Sequence, residues 1–212
     1  MGRQVMEPKV ALSDEELWSA FYGGEESAYT LLYHRHSDRL YSYLRMLLSS
    51  GLEHGSIDDV FQETWVRVFK GREQFVATGA GSFTAWLFRI AHNIAISLVR
   101  RPRHVSFFNE YSPKMFDSAS VPAYDPLSDE RSVDEIIAVL HRVVEELPLN
   151  LRQVYLLSEF EHLSLDQIAE AAEISKANAK VRLFRARQIV REKVLLELGI
   201  EPPLASNEAS DG

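Results

Sequence analysis

An all-α fold is predicted by three observations. Apolar residues recur at three-to-four spacing, serine-led capping signals stand in front of them, and no segment alternates like a half-buried strand. Ser13-Asp14-Glu15-Glu16 reads as a capping box opening the first helix. Residues 25–49 then place Ala28, Leu31, Leu32, Leu40, Leu44, Leu47 and Leu48 on a helical face. Ser56-Ile57-Asp58-Asp59 reads as a second cap, ahead of Val60, Phe61, Trp65, Val68 and Phe69, and residues 82–100 carry Phe83, Leu87, Ile90, Ile94 and Leu98 on one stripe. The texture changes at 102–130, where Pro102, Pro113, Pro122 and Pro126 interrupt any period. That segment is predicted to be an acidic, flexible linker. It divides the chain into helical domains at 12–101 and 131–198, with frayed ends at 1–11 and 201–212.

The C-terminal domain reads as a helix ending near Glu146, then helices over 151–160, 165–172 and 176–197. Ser164-Leu165-Asp166-Gln167 caps the third, and Glu173-Ile174-Ser175 is a turn of helix-turn-helix length. Ala169 marks the crossing of the two helices, Ile168 and Ile174 fill the small core, and Ser175 caps the last helix. Such a turn favours Gly for a positive φ, so Glu173 would carry strain there.

With 46% hydrophobic residues in 212, the chain has enough apolar mass for one or two cores. The absence of cysteine excludes disulfides, thiol catalysis and Cys-based zinc sites. No N-terminal apolar run fits a signal peptide, and no uncharged apolar stretch is long enough to span a bilayer. The expectation is a soluble, cytoplasmic protein with no direct membrane insertion. The net charge of −8 is unevenly spread. Residues 64–104 and 174–193 each carry +6, while 1–63, 105–173 and 194–212 carry −6, −10 and −4. Local potential decides where a polyanion docks, so two basic blocks point to two contacts on one nucleic acid.

The faces of the last helix agree with that. Ala179, Leu183, Ala186, Val190 and Val194 share a stripe fit for the core. The opposite face shows Ala177, Val181, Phe184, Arg185 and Gln188, flanked by Asn178 and Lys180. Arg can pair bidentately with guanine and Asn with adenine, while Val or Phe can touch a thymine methyl. Lys176, at the helix start, is placed for phosphate.

Two segments carry a family resemblance. Asp58-Asp59-Val60-Phe61-Gln62-Glu63-Thr64-Trp65 followed by Phe83-Thr84-Ala85-Trp86-Leu87-Phe88-Arg89-Ile90-Ala91-His92-Asn93 resembles region two of bacterial extracytoplasmic-function (ECF) sigma factors, of the sigma-70 family. Leu147-Pro148 through Arg187, with Leu163-Ser164-Leu165-Asp166-Gln167-Ile168-Ala169 and Arg182-Leu183-Phe184-Arg185-Ala186-Arg187, resembles their region four. The resemblance implies a promoter-specificity subunit that binds bacterial core RNA polymerase and promoter DNA. It places polymerase docking on Asp58, Gln62, Glu63 and Arg67, and contacts to the −35 element on Lys180, Val181, Phe184 and Arg185. Reading and opening of the −10 element would fall to the loop from Gln74 to Ser82 and the helix after it. Phe75, Phe83, Trp86 and Asn93 would shape or line a pocket for an unpaired base, with Arg89, Arg100, Arg101 and Arg103 on phosphates. Phe83 and Trp86 equally suit the core. The acidic linker would suit the RNA exit channel or serve as a plain tether. An anti-sigma factor is a further implied partner.

Other chemistry finds little support. His34 and His36 point to different sides of a helix, no H-E-x-x-H occurs, and no metal site is expected. Gly79-Ala80-Gly81 lacks the strand and third glycine of a dinucleotide fingerprint. No catalytic residues, cofactors or small-molecule substrate are expected, and the chain is not read as an enzyme. A stand-alone helix-turn-helix regulator and a helical interaction module remain as alternatives.

Overall fold

The computed structural model describes residues 12–49, 54–71, 73–99 and 132–200. Those residues form helices and connecting turns, with no strand among them. In chain order the helices are α1 (Asp14–Tyr22), α2 (Glu26–Leu48), α3 (His54–Lys70), α4 (Ser82–Val99), α5 (Val133–Glu145), α6 (Leu149–Glu159), α7 (Leu165–Ala171) and α8 (Lys176–Glu197). The first four build one bundle and the last four another; the 102–130 segment lies outside the described residues.

Two of the capping boxes form as the sequence predicts. Ser13 Oγ accepts from the Glu16 amide, and the Glu16 carboxylate accepts from the Ser13 amide at 2.7 Å. Ser164 and Gln167 repeat the exchange at α7. The helix start expected at Ser56 lies elsewhere. Helix α3 starts two residues earlier, at His54, so Ser56 lies inside it and Asp58 and Asp59 fall in its second turn.

Helix α4 organises the core of the first bundle. Phe83, Leu87 and Ile94 are buried as predicted, and Ile90 and Leu98 are half-buried. Yet every residue from Ser82 to Phe88 is buried, because α1, α2 and α3 pack on one side and α7 closes the other. Its length and mean hydropathy of 1.2 would also allow a membrane span, but Arg89 interrupts it and over half of it is buried inside the protein. It is a core helix. An aromatic cluster of Trp18, Phe21, Phe75, Phe83 and Trp86 locks α1 and the α3–α4 loop to it, the ring centroids of its contacting pairs 5.1–6.1 Å apart. Such pairs contribute about 0.5–1.5 kcal/mol each beyond the area they bury.

The two bundles pack against each other, α4 on α7 and α2 on α5 and α6. Periodicity gave no hint of this seam. Arg152, 4% exposed, is its central polar group. Its Nη1 donates to Leu47 O at 2.9 Å and Met46 O at 3.4 Å, while Nη2 donates to Leu147 O at 3.0 Å and to Glu145 O. One guanidinium thus satisfies carbonyls at the C-terminal ends of α2 and α5, groups without an intrahelical partner at the negative end of each helix dipole. Nearby, Arg39 Nη2 lies 2.8 Å from Glu161 Oε2 and donates to Glu161 O at 3.2 Å. Burial pushes the Glu161 carboxyl above its ordinary range, and the positive charge of Arg39 pulls the other way.

Candidate nucleic-acid interface

Helix α8 presents the basic face read from the sequence. Ser175 Oγ accepts from the Asn178 amide at 3.2 Å and fixes the helix start. Ala179, Leu183, Ala186 and Val190 are buried; at the next turn Leu195 is buried and Val194 only half so. The opposite face stands clear of the fold, with Val181 46% and Phe184 40% exposed. Lys176, Asn178 and Lys180 are exposed around them, and Arg185 is half-exposed. Two large apolar side chains held in solvent between cations form a face that a base edge can cover. Lys176 Nζ sits 2.8 Å from Asp166 Oδ2, with both side chains largely exposed. Arg187 is engaged elsewhere: its Nε and Nη2 both donate to Glu159 Oε1, at 2.9 and 2.7 Å.

The turn before α8 answers the question that Glu173 raised. Its φ is +52°, so a side chain does occupy a left-handed position that Gly would take freely. That conformation costs roughly 1–2 kcal/mol in a residue with a Cβ. The Glu173 carboxylate accepts from Asn93 Nδ2, on α4, at 3.3 Å.

On α3, Asp58, Gln62, Glu63 and Arg67 are all exposed on one side of the helix, as i,i+4 pairs in adjacent rows. Arg67 Nε donates to Glu63 Oε1 at 2.7 Å, and Asp58 accepts from the Tyr41 hydroxyl at 3.0 Å, an attachment that holds the Tyr41 phenol above its usual pKa. Val66, 43% exposed, lies between them and makes the face partly apolar.

The −10 candidates are more scattered. Trp86 is 5% exposed and Phe83 fully buried, so both rings sit in the aromatic core, from which they can shape the neighbouring surface. The sequence could not separate the two roles, because α4 is buried on more sides than its stripe requires. Phe75 is half-buried against Trp18, Phe83 and Trp86. Arg89 is half-exposed and Asn93 exposed, the latter with Glu173 as partner. Arg100, Arg101 and Arg103 lie outside the described residues.

Two residues that sequence reasoning missed touch this region from the other bundle. One is Glu173. The other is Gln167, whose Nε2 donates to Ala80 O at 2.9 Å in the α3–α4 loop. Gly81 admits it: a Cβ there would come within 2.2 Å of that nitrogen, and its φ of +79° independently favours Gly. The available signal was Glu173 in a position that suits Gly; nothing local marks Gln167 beyond its capping role.

Among the described residues no three His, Cys, Asp or Glu side chains gather as metal ligands. His36 instead meets Asp14, Nε2 to Oδ2 2.8 Å, while Arg35 pairs with the other Asp14 oxygen at 2.6 Å. Burial alone would raise the Asp14 carboxyl, but its hydrogen bonds and ion pairs with His36 and Arg35 outweigh that and hold it below its usual range.

Comparison with known proteins decides the family. The Sigma-70 region 2 family model matches residues 32–105 and the Sigma-70, region 4 model matches residues 137–190. The chain belongs to the ECF sigma-70 family. Its relatives include the ECF RNA polymerase sigma-E factor of Haemophilus influenzae, 27% identical over 187 residues that span 86% of this chain and 96% of that protein. The sigma-E factor of Escherichia coli K12 is 28% identical over 190 residues, spanning 86% and 95%. The fold is shared with CnrH, solved in complex with the cytosolic domain of CnrY, at a TM-score of 0.60 and 23% identity over 87% of this chain and 97% of that one. It is shared too with RpoE of Bartonella quintana, solved with the anti-sigma factor NepR, at a TM-score of 0.57 and 19% identity over 79% and 97%. As an ECF sigma factor, the chain is a promoter-specificity subunit of RNA polymerase rather than a stand-alone regulator.

Proposed function

We propose that this sigma factor divides its work over three faces. The α8 face, with Lys176, Asn178, Lys180, Val181, Phe184 and Arg185, reads the −35 element. Arg185 and Asn178 would supply base-edge hydrogen bonds, Val181 and Phe184 apolar contact, and Lys176 a phosphate contact. The α3 face, with Asp58, Gln62, Glu63 and Arg67, docks on a helical partner surface of core polymerase. Carboxylates and a glutamine in i,i+4 rows beside Val66 fit a partner that offers arginines and apolar side chains. The α3–α4 loop and α4 serve the −10 element, with Phe75, Arg89 and Asn93 in contact with DNA and Trp86 supporting them from the core. Arg100, Arg101 and Arg103 extend the same basic segment. The domains follow as region 2 over 12–101 and region 4 over 131–198, joined by 102–130.

The observation that carries this reading is the pair Val181 and Phe184, exposed between cations on the one face of α8 that has no core to cover. An anti-sigma factor is proposed as a regulatory partner, supported by the two fold neighbours solved with such partners or with a cytosolic domain bound. The chain itself performs no catalysis in this scheme and works in the cytoplasm, where the polymerase does the chemistry.

Run-off transcription tests the reading. Core bacterial RNA polymerase with this chain is expected to yield transcripts from promoters selected out of a random library, and core alone none. Tight footprinting of an operator by the chain alone, with no promoter-dependent transcript from the mixture, would replace the reading with a stand-alone regulator.

A further inference from the structure

Resting on that reading, we propose that α1 is a working wall of the −10 site. It closes one side of the cavity that receives the unpaired base, and its Glu15 is a positioning residue that fixes the far end of the reading loop. Helix α1 precedes residues 32–105, the stretch matched to region 2. Its sequence supplies a capping box and the buried residues Leu17, Trp18 and Phe21, with no basic residue in its last turn to suggest DNA.

The loop from Gln74 to Ser82 is fastened to α1 at both ends. At its start the Phe75 ring meets Trp18 edge to face, the centroids 5.6 Å apart. At its end Glu15 Oε1 accepts from the Phe83 amide at 3.1 Å and from the Ser82 hydroxyl at 3.3 Å. Asp14 Oδ2 accepts from the Thr84 hydroxyl at 3.4 Å. The first amides of a helix have no carbonyl of their own helix to reach, and Ser82 and Thr84 are buried. The acids of α1 therefore satisfy groups that would otherwise be orphaned, and a carboxylate at the positive end of the α4 dipole adds to the hold. Between the two fastenings the loop is exposed from Val76 to Ala80.

A cavity of about 280 Å³ lies between α1 and the loop, lined by Glu15, Trp18, Ser19 and Tyr22 of α1 and by Glu73 and Phe75. Ligand pockets run from about 300 Å³ upward, so this one has room for a single flat ring system. Trp18, Tyr22 and Phe75 offer it aromatic surface, on which any base can stack. The Glu15 and Glu73 carboxylates repel phosphate, which keeps the strand's backbone outside, and they accept from an amine. A base with an exocyclic amine, adenine or cytosine, therefore fits this lining better than thymine, whose carbonyls would meet the same acids.

The test uses core polymerase with the full chain on a promoter selected as above. It reads affinity for core, affinity for a duplex carrying the upstream element alone, and the maximal rate of opening, followed by permanganate oxidation of unpaired thymines. Ser19→Trp puts a ring into the cavity from an exposed position of α1. Opening is expected to slow tenfold or more, with both affinities unchanged. Glu15→Ala should slow opening by a similar factor, and Glu15→Gln, whose carbonyl still accepts from Phe83, should recover most of it. A circular dichroism melt checks that each variant is folded; Ser19, on the surface, serves where Glu15→Ala is not. Single-base variants of the −10 element should include one position where adenine or cytosine opens faster than thymine, a preference lost in Ser19→Trp. Opening at the parent rate in Ser19→Trp overturns the wall, and a thymine preference that this variant abolishes overturns the base class. A Glu15→Gln variant as slow as Glu15→Ala overturns the positioning role. A folded variant that loses affinity for core instead assigns the cavity to polymerase and overturns the proposal too. If core with the parent chain opens no promoter, the sigma-factor reading itself fails.

Discussion

On α8 the proposed base-reading residues stand in solvent, Val181 and Phe184 both exposed. On α4 and the loop before it, Trp86 is buried, Phe75 and Arg89 are partly so, and Asn93 is hydrogen-bonded to the other bundle. Both surfaces belong to helices that serve a core, but α8 is packed along one stripe while α4 is packed on every side over its first seven residues. The difference teaches that of the two proposed promoter faces one is open to solvent, while the other adjoins the packing of the second bundle on the first. The seam between the bundles and the open face can therefore be probed separately.

The largest effect should come from Arg152. Arg152→Met retains much of the buried stem but leaves carbonyls at the ends of α2 and α5 without a donor. At about 1–3 kcal/mol for each buried group left unsatisfied, a loss of roughly 3–5 kcal/mol is expected. Urea denaturation followed by both far-ultraviolet circular dichroism and tryptophan fluorescence reads it. Trp18, Trp65 and Trp86 all report on the first bundle, whereas helix content reports on both. If Arg152 ties the bundles into one unit, the two transitions that coincide in the parent should separate in the variant. A fall below 1 kcal/mol would show that the seam does not depend on it.

Next is Arg185→Ala on the open face. With no seam contact at stake, folding stability should hold while promoter discrimination falls by about 1–3 kcal/mol at one upstream position. The readout is transcription from a set of single-base variants of a selected promoter. An unchanged preference at every upstream position would remove Arg185 from base reading and leave the α8 face without its guanine partner.

These two cases also show how much was legible beforehand. The α8 face was readable because helical periodicity is local: Ala179, Leu183 and Ala186 declare the buried stripe, and whatever lies opposite must face outward. The capping boxes at Ser13 and Ser164 are legible for the same reason. Arg152 was not, since a lone cation in an apolar run looks like an exposed helix position until the ends of two distant helices are brought to it. Trp86 was left open for a related reason. Its place near the edge of the α4 stripe is compatible with a wall or a core, and only the packing of Trp18 and Phe75 against it decides. Ser56 misled because a serine followed by carboxylates is as much at home in a second turn as at a cap.

Asp14 sharpens the comparison within the first bundle. Its carboxyl is held below the usual range, so the stability it adds is complete above its ordinary value of 3.8 and is lost as pH falls through the lower folded value. Asp14→Asn should cost about 1.5–3 kcal/mol near neutrality, the usual contribution of hydrogen bonds to a charged group. It should also flatten the acid limb of the stability curve below about pH 4. Thermal melts of parent and variant across that range measure both. An acid limb of unchanged steepness would mean that other carboxylates carry the acid sensitivity of this bundle.

The smallest effect belongs to Lys176, and it tests whether the open face is as ready as it looks. Lys176 is paired with Asp166, but both side chains are largely exposed, and exposed pairs contribute only about 0–1 kcal/mol. The cation is therefore freed at little cost when a phosphate arrives. Lys176→Ala should weaken promoter binding evenly across sequences and lower the slope of log affinity against log salt by about one. Asp166→Ala should do the reverse on a small scale, raising affinity because the phosphate no longer competes with a carboxylate. If Lys176→Ala instead changed which promoters are preferred, the residue would be reading bases. If Asp166→Ala raised affinity tenfold or more, the pair would be a genuine restraint on the α8 face.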